Sequence, residues 1–496
     1  MAPRRIAPLI LAACLLAACV QPGTVSAATQ KPLGEMQVNS ETSAGTIQNE
    51  NLVGETAEAA AAAELPAAQP EGLTKGTTIG FESMIAAGLK ARWAGKQAIV
   101  VRSDSANGTT ARVWLYEYTS GAWRAKYGPW RAVIGKNGMG KTAEGDGKSP
   151  VGAFLLGTAF GTLNKPTGMT YNYRKLDSAD RWVDAATTYY NRWVRGGTAV
   201  CGAGENLSRI SPQYRYAVAV RYNDQAKSKG GSAIFLHVWK SQTTATAGCT
   251  AMSEENMLRL LRWLDYAKRP VLIQGTEANL KALLGKPWGI ACLPAGWCYA
   301  DDFIPDLQPD VRYFTTHNFT GARITGYNAP ELPMRMNAVT ALANVASELR
   351  KKGYGIRVFD AYRSQAATDA MVKWAQTPGD ATKAEYYPDI PKSSIVGKYI
   401  ARKSNNRLGG TVDLTVLSWA TGKDLDMGGR FDFFGERSHY DYNGLTAAQR
   451  DNRALLRSAM TKAGFTPLAT EWWHFSYAEP LYDGSMAVQP REFVLR

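Results

Sequence analysis

Four histidines occur in the 496 residues, and two of them stand in patterns that can do chemistry. His237 closes the apolar run Ile234-Phe235-Leu236-His237, and twelve residues later the chain reads Thr246-Ala247-Gly248-Cys249. A helix is predicted from Ser253, a good N-cap, with Glu254 and Glu255 in its first turn and Met257, Leu260, Leu261 and Leu264 at helical spacing. A thiol placed just before a helix and beside an imidazole is favoured as a nucleophile, and Gly248 lets the backbone turn so that the Cys249 amide faces a developing oxyanion. The competing reading is a buried cysteine and an edge histidine that never meet.

The second grouping is Asp413, in the run Thr411-Val412-Asp413-Leu414-Thr415, with Glu471-Trp472-Trp473-His474. Aspartate, histidine and a nearby glutamate are the parts of a hydrolytic zinc site. Neighbouring strand residues point to opposite faces, so Glu471 and His474 meet only at a bulge or a strand end. The alternative is a salt-bridged aspartate and a solvated glutamate. His317 has no such surroundings and reads as structural.

Two kinds of scaffold must position these groups. Short β-rich runs separated by turns span 98–102, 112–118, 130–134, 151–156, 214–222 and 232–239, with a strand at 271–274 closing the region, which predicts a mainly β domain. After a Pro/Gly/Cys-containing connection the pattern becomes mixed: helices at 336–352, 367–376 and 447–462 and strands at 356–359, 411–417 and 472–477, an α+β domain.

In the first region, Gly145-Asp146-Gly147-Lys148-Ser149-Pro150-Val151-Gly152, Ile234-Phe235-Leu236-His237 and Thr246-Ala247-Gly248-Cys249 together resemble the L,D-transpeptidase catalytic domain of peptidoglycan synthesis, over residues 95–275. The resemblance implies that Cys249 attacks a stem-peptide carbonyl to give a thioester, with His237 as base and then acid and Gly248 shaping the oxyanion site. It implies no cofactor. An amine acceptor would give a crosslink, and water would give carboxypeptidase activity. Many members carry Gly-Cys-x-Arg, whereas Cys249 is followed by Thr250-Ala251-Met252, so another residue must hold the donor carboxylate.

In the second region, Asp360-Ala361-Tyr362-Arg363, the stretch Ser404 to Thr415, Phe431 to Phe434 with Glu436 to His439, and Glu471 to His474 resemble the VanX-like zinc D-alanyl-D-alanine dipeptidases, over residues 305–480. The resemblance implies Asp413 and His474 as zinc ligands, Glu471 as general base and Arg363 as the oxyanion-stabilising cation. The family's Ser-x-His-x-x-Gly-x-x-x-Asp reads here Ser404-Asn405-Asn406-Arg407-Leu408-Gly409-Gly410-Thr411-Val412-Asp413, so Asn406 stands at the position of the first metal ligand. An amide oxygen is a poorer zinc ligand than imidazole, which implies weakly held, different or absent metal.

The N-terminus adds location. Met1 to Arg5 and the apolar run Ile6 to Ala18 form a signal segment too short to span a bilayer. Leu16-Ala17-Ala18-Cys19 resembles a lipobox, with Cys19 as lipid anchor, and Val25-Ser26-Ala27 offers an ordinary cleavage site instead. An exported, periplasmic protein excludes nucleic acid as its partner. Charge is uneven: residues 29–74 carry −6, residues 75–288 carry +16 and residues 289–496 carry +2, within a total of +14. The basic first domain fits an anionic, carboxylate-bearing polymer. Cys292 and Cys298 are close enough for a disulfide, and Cys201 is either a buried thiol or a partner for Cys249.

The expected organisation is thus a signal or lipobox region at 1–28, an acidic linker at 29–75, an L,D-transpeptidase-like domain at 76–288 and a dipeptidase-like domain at 289–496. The expected partners are peptidoglycan stem peptides and D-Ala-D-Ala. The alternative reading keeps an active cysteine enzyme and makes the second domain a metal-poor module that binds stem-peptide ends.

Overall fold

The computed structural model describes residues 75–185, 187, 189–196, 201–288, 293–294, 296–304 and 306–477. The signal segment, Cys19, almost all of the acidic linker and Cys292 lie outside these residues. No helix among them is long and apolar enough to cross a membrane.

The first domain is built on β1 (Gln97–Ser103), β2 (Thr110–Thr119), β3 (Ala122–Val133), β4 (Gly152–Gly161), β5 (Tyr173–Lys175), β9 (Ala217–Val220), β10 (Phe235–Val238), β11 (Thr250–Met252) and β12 (Val271–Thr276). Their order is β12-β1-β2-β3-β11-β10-β9-β4-β5, and β12 also pairs with β4, so eight strands close into a ring with β5 on its margin. β1 is apolar almost throughout because both its faces are covered. Ile99 and Val101 pack with Val113, Leu236 and Val238 and with Met257, Leu260 and Leu261 of the Glu254–Trp263 helix. Ala98 and Val100 pack with Trp114 and Tyr116 beneath Ile85 and Leu89 of a Lys75–Arg92 helix and Leu280 of a Glu277–Leu284 helix.

The sequence reading named no helix in either of these segments, the first of which opens the expected domain and the second of which follows β12. The strand expected at 214–222 is shorter than its apolar run, because Gln213–Arg215 forms a 3-10 turn and only Ala217–Val220 joins the sheet. Between β5 and β9 lies a small separate sheet, β6 (Arg181–Trp182), β7 (Trp193–Val194) and β8 (Glu205–Asn206), in the order β7-β6-β8. We refer to it as the cap.

The second domain carries β13 (Trp297–Tyr299) paired with β15 (Pro333–Arg335), and a five-stranded sheet of β14 (Leu307–Pro309), β16 (Tyr354–Asp360), β17 (Thr411–Ser418), β18 (Phe465–Leu468) and β19 (Glu471–Tyr477), ordered β14-β16-β17-β19-β18. Ile356, Val358, Leu414 and Val416 share a core with Leu342 and Leu349 of the Met336–Arg350 helix and Leu456 and Met460 of the Ala447–Lys462 helix. The alternate residues of β17, Asp413 and Thr415, therefore turn to the opposite face.

The described residues belong to one compact unit in which the two domains meet along a polar seam. Arg221 of the first domain, 7% exposed, donates to Glu331 (2.8 Å) and Asp302 (3.1 Å) and lies 3.9 Å over the Tyr299 ring. Thr158 and Asn172 both donate to the Asp302 carbonyl at 2.7 Å.

Two candidate active sites

Cys249 and His237 come together through strand pairing. β10 and β11 are parallel, with Leu236 opposite Thr250 and His237 opposite Ala251. Leu236, Val238 and Met252 enter one core, while Phe235 and Cys249 enter another. By the two-residue period His237 shares the face of Phe235, so imidazole and thiol lie on the same side of the sheet.

The thiol is neutral and held at both ends. Its Sγ accepts from the Phe235 N–H (3.3 Å) and its proton goes to the Ala233 carbonyl (3.4 Å). Burial pushes the Cys249 thiol up to about 12; the Phe235 N–H and the Lys141 charge pull the other way and lose. Burial also presses His237 down to about 4. Its Nδ1 lies 2.7 Å from the Val238 carbonyl, which can only accept, so Nδ1 carries the proton and Nε2 is left as the base. Tyr214 sits edge-on to the ring with centroids 5.7 Å apart, and its hydroxyl donates to Glu205 of the cap (3.4 Å).

The Gly145–Gly152 segment reaches this site as a clasp. Ser149 Oγ (3.2 Å) and Thr246 Oγ1 (2.6 Å) both donate to the Cys249 carbonyl, and Ser149 accepts from the Gly135 N–H (3.0 Å). Asp146 folds the loop. Burial raises its carboxyl, but the N–H groups of Lys148, Thr142 and Ala143 and the Lys141 ammonium outweigh that and hold it down to about 2. Gly248 has φ of 150°, and a β-carbon there would lie 2.8 Å from the Lys148 carbonyl oxygen, so only glycine allows the clasp to close on the cysteine turn. The sequence singled out Gly248 for an oxyanion role. The structure adds Ser149, Thr246, Lys141, Tyr214 and Glu205, of which Ser149 and Thr246 stood in the motifs that carry the resemblance and the other three did not.

Cys249 is a free thiol, so the Cys201–Cys249 disulfide is not formed. Cys201 packs instead with Val183 and Val194 inside the cap. Cys298 is also a free, buried thiol, 3.7 Å from the Met336 sulfur.

In the second domain three adjacent strands line up Asp360, Asp413 and His474. Asp413 is opposite Asp360 on β16 and opposite His474 on β19. The turn required by Glu471-x-x-His474 is present: Glu471 is the first residue of β19, and the β18–β19 register shifts beside it. Glu471 Oε2 and Asp413 Oδ1 consequently lie 3.6 Å and 2.8 Å from the same atom, His474 Nδ1. Burial pushes Glu471 up to about 7 against the pull of His474, and Asp413 keeps His474 above the ordinary imidazole value despite burial.

Arg363 places Nε and Nη2 on Asp360 (2.9 and 2.7 Å), with Nη2 also 3.4 Å from Asp413. It is thus a strut between two buried carboxylates as well as the cation expected to face an oxyanion. Asn406 is fully buried, and both ends of its amide are engaged: Oδ1 accepts from Ser404 (2.8 Å), and Nδ2 donates to the Ala361 carbonyl (3.1 Å) and Asp360 (3.4 Å). Gly409 ends that turn with φ of 76° against the Trp297 ring, where a β-carbon would clash at 2.2 Å. His439 is turned to the Tyr399 hydroxyl (3.4 Å) and His317 to Arg312 (3.5 Å).

Among the described residues no group of three His, Cys, Asp or Glu side chains is arranged to hold an ion. Two donors do converge. Asp413 Oδ1 lies 2.8 Å from His474 Nδ1, an ion pair when the imidazole is protonated, and outside that contact this oxygen is buried without a hydrogen-bond partner. A buried carboxylate oxygen beside an imidazole nitrogen is a donor pair that suits a shared cation, and Asn406 stands in sequence where the family pattern has another imidazole.

Comparison with known proteins follows the same division. Residues 97–273 match the family described as the L,D-transpeptidase catalytic domain, and residues 295–490 match the family described as D-ala-D-ala dipeptidase. A D-alanyl-D-alanine dipeptidase of Enterococcus faecium is 34% identical over 192 residues, which is 38% of this chain and 95% of that protein. One from Streptomyces coelicolor is 35% identical over 185 residues, covering 37% and 92%. One from Escherichia coli is 36% identical over 171 residues, covering 34% and 79%.

Proposed function

We infer the function from membership and geometry together: the chain belongs to the D-alanyl-D-alanine dipeptidase family through residues 295–490 and carries an L,D-transpeptidase catalytic domain over residues 97–273. It is a peptidoglycan-modifying enzyme with two catalytic domains. The reading proposed for the first is a cysteine acyltransferase acting on stem peptides through a thioester. The observation that carries it is the pairing of β10 with β11, which puts a neutral thiol and an Nδ1-protonated imidazole on one face.

In this mechanism His237 Nε2 takes the thiol proton as Sγ bonds to the substrate carbonyl carbon, because neither group ionises by itself in so buried a site. The Val238 carbonyl stabilises the imidazolium that results. Collapse of the tetrahedral adduct breaks the peptide C–N bond, the leaving amine takes the proton back from His237, and the acyl group remains on sulfur. An amine acceptor or water then releases it, giving a crosslink or a trimmed stem. The Ser149 and Thr246 hydroxyls fix the Cys249 carbonyl, so the turn carrying the nucleophile does not shift as charge develops.

For the second domain the proposed substrate is D-Ala-D-Ala. Asp413 and His474, with Asn406 in the third position, would hold zinc, which supplies Lewis-acid polarisation of the scissile carbonyl when bound. Glu471 accepts a proton from water beside this pair, and Arg363 stabilises negative charge on the peptide. Asp360 orients Arg363, and Tyr327 holds Asp360 in turn (2.7 Å). The proposed setting is the periplasm, with Cys19 as lipid anchor, which the signal segment and lipobox pattern support.

Intact-mass analysis with a carbapenem tests the first half. Wild type should gain one acyl group, mapped to Cys249, and Cys249→Ala should gain none; an unmodified wild type refutes it. Release of D-alanine from D-Ala-D-Ala by zinc-loaded protein, lost in Glu471→Ala, tests the second, and no release from the loaded wild type refutes that half.

A further inference from the structure

Three side chains spaced three apart on the segment around β7 cross from the cap to the second domain. The Tyr189 hydroxyl accepts from Arg357 (3.2 Å) on β16, the strand that ends at Asp360. Arg192 pairs with Glu331 (3.7 Å), and Arg195 with Asp306 (3.3 Å), a carboxylate that also binds Arg350 of the Met336–Arg350 helix. These contacts are largely desolvated: Glu331 is 4% and Asp306 1% exposed.

Between these anchors stands Asn191, buried, with φ of 56°, a left-handed conformation that asparagine tolerates better than most residues. Its Oδ1 accepts from Trp182 Nε1 (3.0 Å) and from the Ala233 N–H (3.3 Å), and its Nδ2 donates to the Tyr222 and Asn223 carbonyls (2.8 and 3.1 Å). Ala233 is the residue whose carbonyl takes the Cys249 thiol proton, and it has φ of 53°, a costly conformation for alanine that its surroundings must enforce. Trp182 packs on Phe235 with centroids 4.9 Å apart, and the Phe235 N–H is the donor to Sγ. Both hydrogen bonds that fix the nucleophile are therefore one residue away from Asn191.

We propose that segment 189–195 is a strap by which the second domain positions Cys249, with Asn191 as the positioning residue. The second domain then has a task beyond its own chemistry: docked through Arg357, Glu331 and Asp306, it holds the cap and the Ala233 carbonyl in the geometry that orients the thiol. Nothing in the Gly145–Gly152 clasp or the β10–β11 pairing supplies this, because both act on the backbone of Cys249 rather than on its sulfur. The inference rests on the reading of Cys249 as a nucleophile that forms an acyl-enzyme.

The test compares full-length proteins by stopped-flow acylation with a carbapenem. Sulfur bonds to the lactam carbonyl carbon, the lactam C–N bond breaks, and the thiol proton ends on the lactam nitrogen. The triple variant Tyr189→Phe/Glu331→Gln/Asp306→Asn cuts the strap at its second-domain end without touching the cysteine site. It is expected to slow acylation at least tenfold, as is Asn191→Gly, which tolerates the backbone conformation but lacks the amide. Asn191→Asp keeps the acceptor for Trp182 and Ala233 but turns an oxygen on the Tyr222 and Asn223 carbonyls, so acylation should be slow at about pH 8 and recover as pH falls and the protonated carboxyl again donates, a pH-dependent rescue that general loosening would not give.

Acylation at the wild-type rate in either the triple variant or Asn191→Gly overturns the proposal. If the triple variant does not fold, Tyr189→Phe alone, which removes one hydroxyl, decides at a threshold of threefold. If wild type takes no acyl group, the enzymatic reading falls while the strap is still decided by iodoacetamide: Cys249 alkylation should accelerate in the triple variant once Ala233 no longer holds the thiol, and an unchanged rate overturns the proposal.

Discussion

Raising the pH across the resting enzyme should expose how Cys249 is activated. With the thiol pushed up to about 12 and His237 pressed down to about 4, the two groups rest as thiol and neutral imidazole, not as an ion pair. A thiol near 12 is ionised to roughly one part in 10⁵ at pH 7, against a few per cent for an ordinary cysteine near 8.5. Alkylation of Cys249 by iodoacetamide should therefore be about three orders of magnitude slower than that of a model thiol at pH 7 on ionisation alone. It should climb about tenfold for each pH unit up to pH 10 with no plateau, as a group titrating above that range must.

The assay is peptide mapping of Cys249 after timed alkylation between pH 6 and 10. His237→Gln should leave this profile almost unchanged, because the imidazole is not protonated in the resting state, yet should abolish turnover, where the imidazole must accept the proton. A plateau below pH 8, removed by His237→Gln, would show a preformed thiolate–imidazolium pair and refute the reasoning. The sign at the acid end is equally fixed: turnover persists as pH falls through 6 and is lost only near 4, where His237 Nε2 becomes protonated.

Three further outcomes are expected. Asp146→Asn should destabilise the first domain by about 2 kcal/mol near neutral pH, from a carboxylate held down to about 2 against an ordinary 3.8. Because the native pKa is depressed, that advantage exists above pH 4 and fades as pH falls through 2, so the thermal-midpoint gap between variant and wild type should close there. Gly248→Ala should cost about 2–4 kcal/mol, combining a positive-φ penalty with overpacking against the Lys148 carbonyl, and should slow carbapenem acylation more than a hundredfold; an unchanged rate would remove the clasp from the account. Asn406→His should bind zinc at least tenfold more tightly than wild type in a competitive chelator titration, by exchanging an amide for imidazole, and equal affinity would mean that position 406 is not a ligand position.

Both sites were legible in the sequence where chemistry is written in strand-local patterns. The apolar run that His237 closes placed the histidine on a strand, and Ser253 with two glutamates marked the helix start that follows Cys249. The Glu471-x-x-His474 spacing required an irregular strand, and the register shift at Leu468 supplies it. What local pattern does not contain is pairing across the chain. Ser149 lies 100 residues from the carbonyl it holds, and Asn191 is 42 residues from Ala233.

Asp360 was part of a motif, but its alignment with Asp413 and His474 depends on three strands being neighbours. The Lys75–Arg92 helix was missed because its first turns, Gly-Thr-Thr-Ile-Gly, are poor helix formers, and burial of Phe81, Ile85 and Leu89 against the sheet sustains it. Asn406 shows the limit of a motif read residue by residue. The sequence marks the lost imidazole, and only the structure shows the amide knitted to Ser404, Ala361 and Asp360.

The central claim is that this chain remodels peptidoglycan stems through Cys249. Mass spectrometry of muropeptides incubated with the full-length protein and with Cys249→Ala tests it most directly. The account predicts that wild type converts stems to crosslinked or trimmed products and that Cys249→Ala leaves them unchanged in those bonds. Identical product profiles from the two proteins would contradict it.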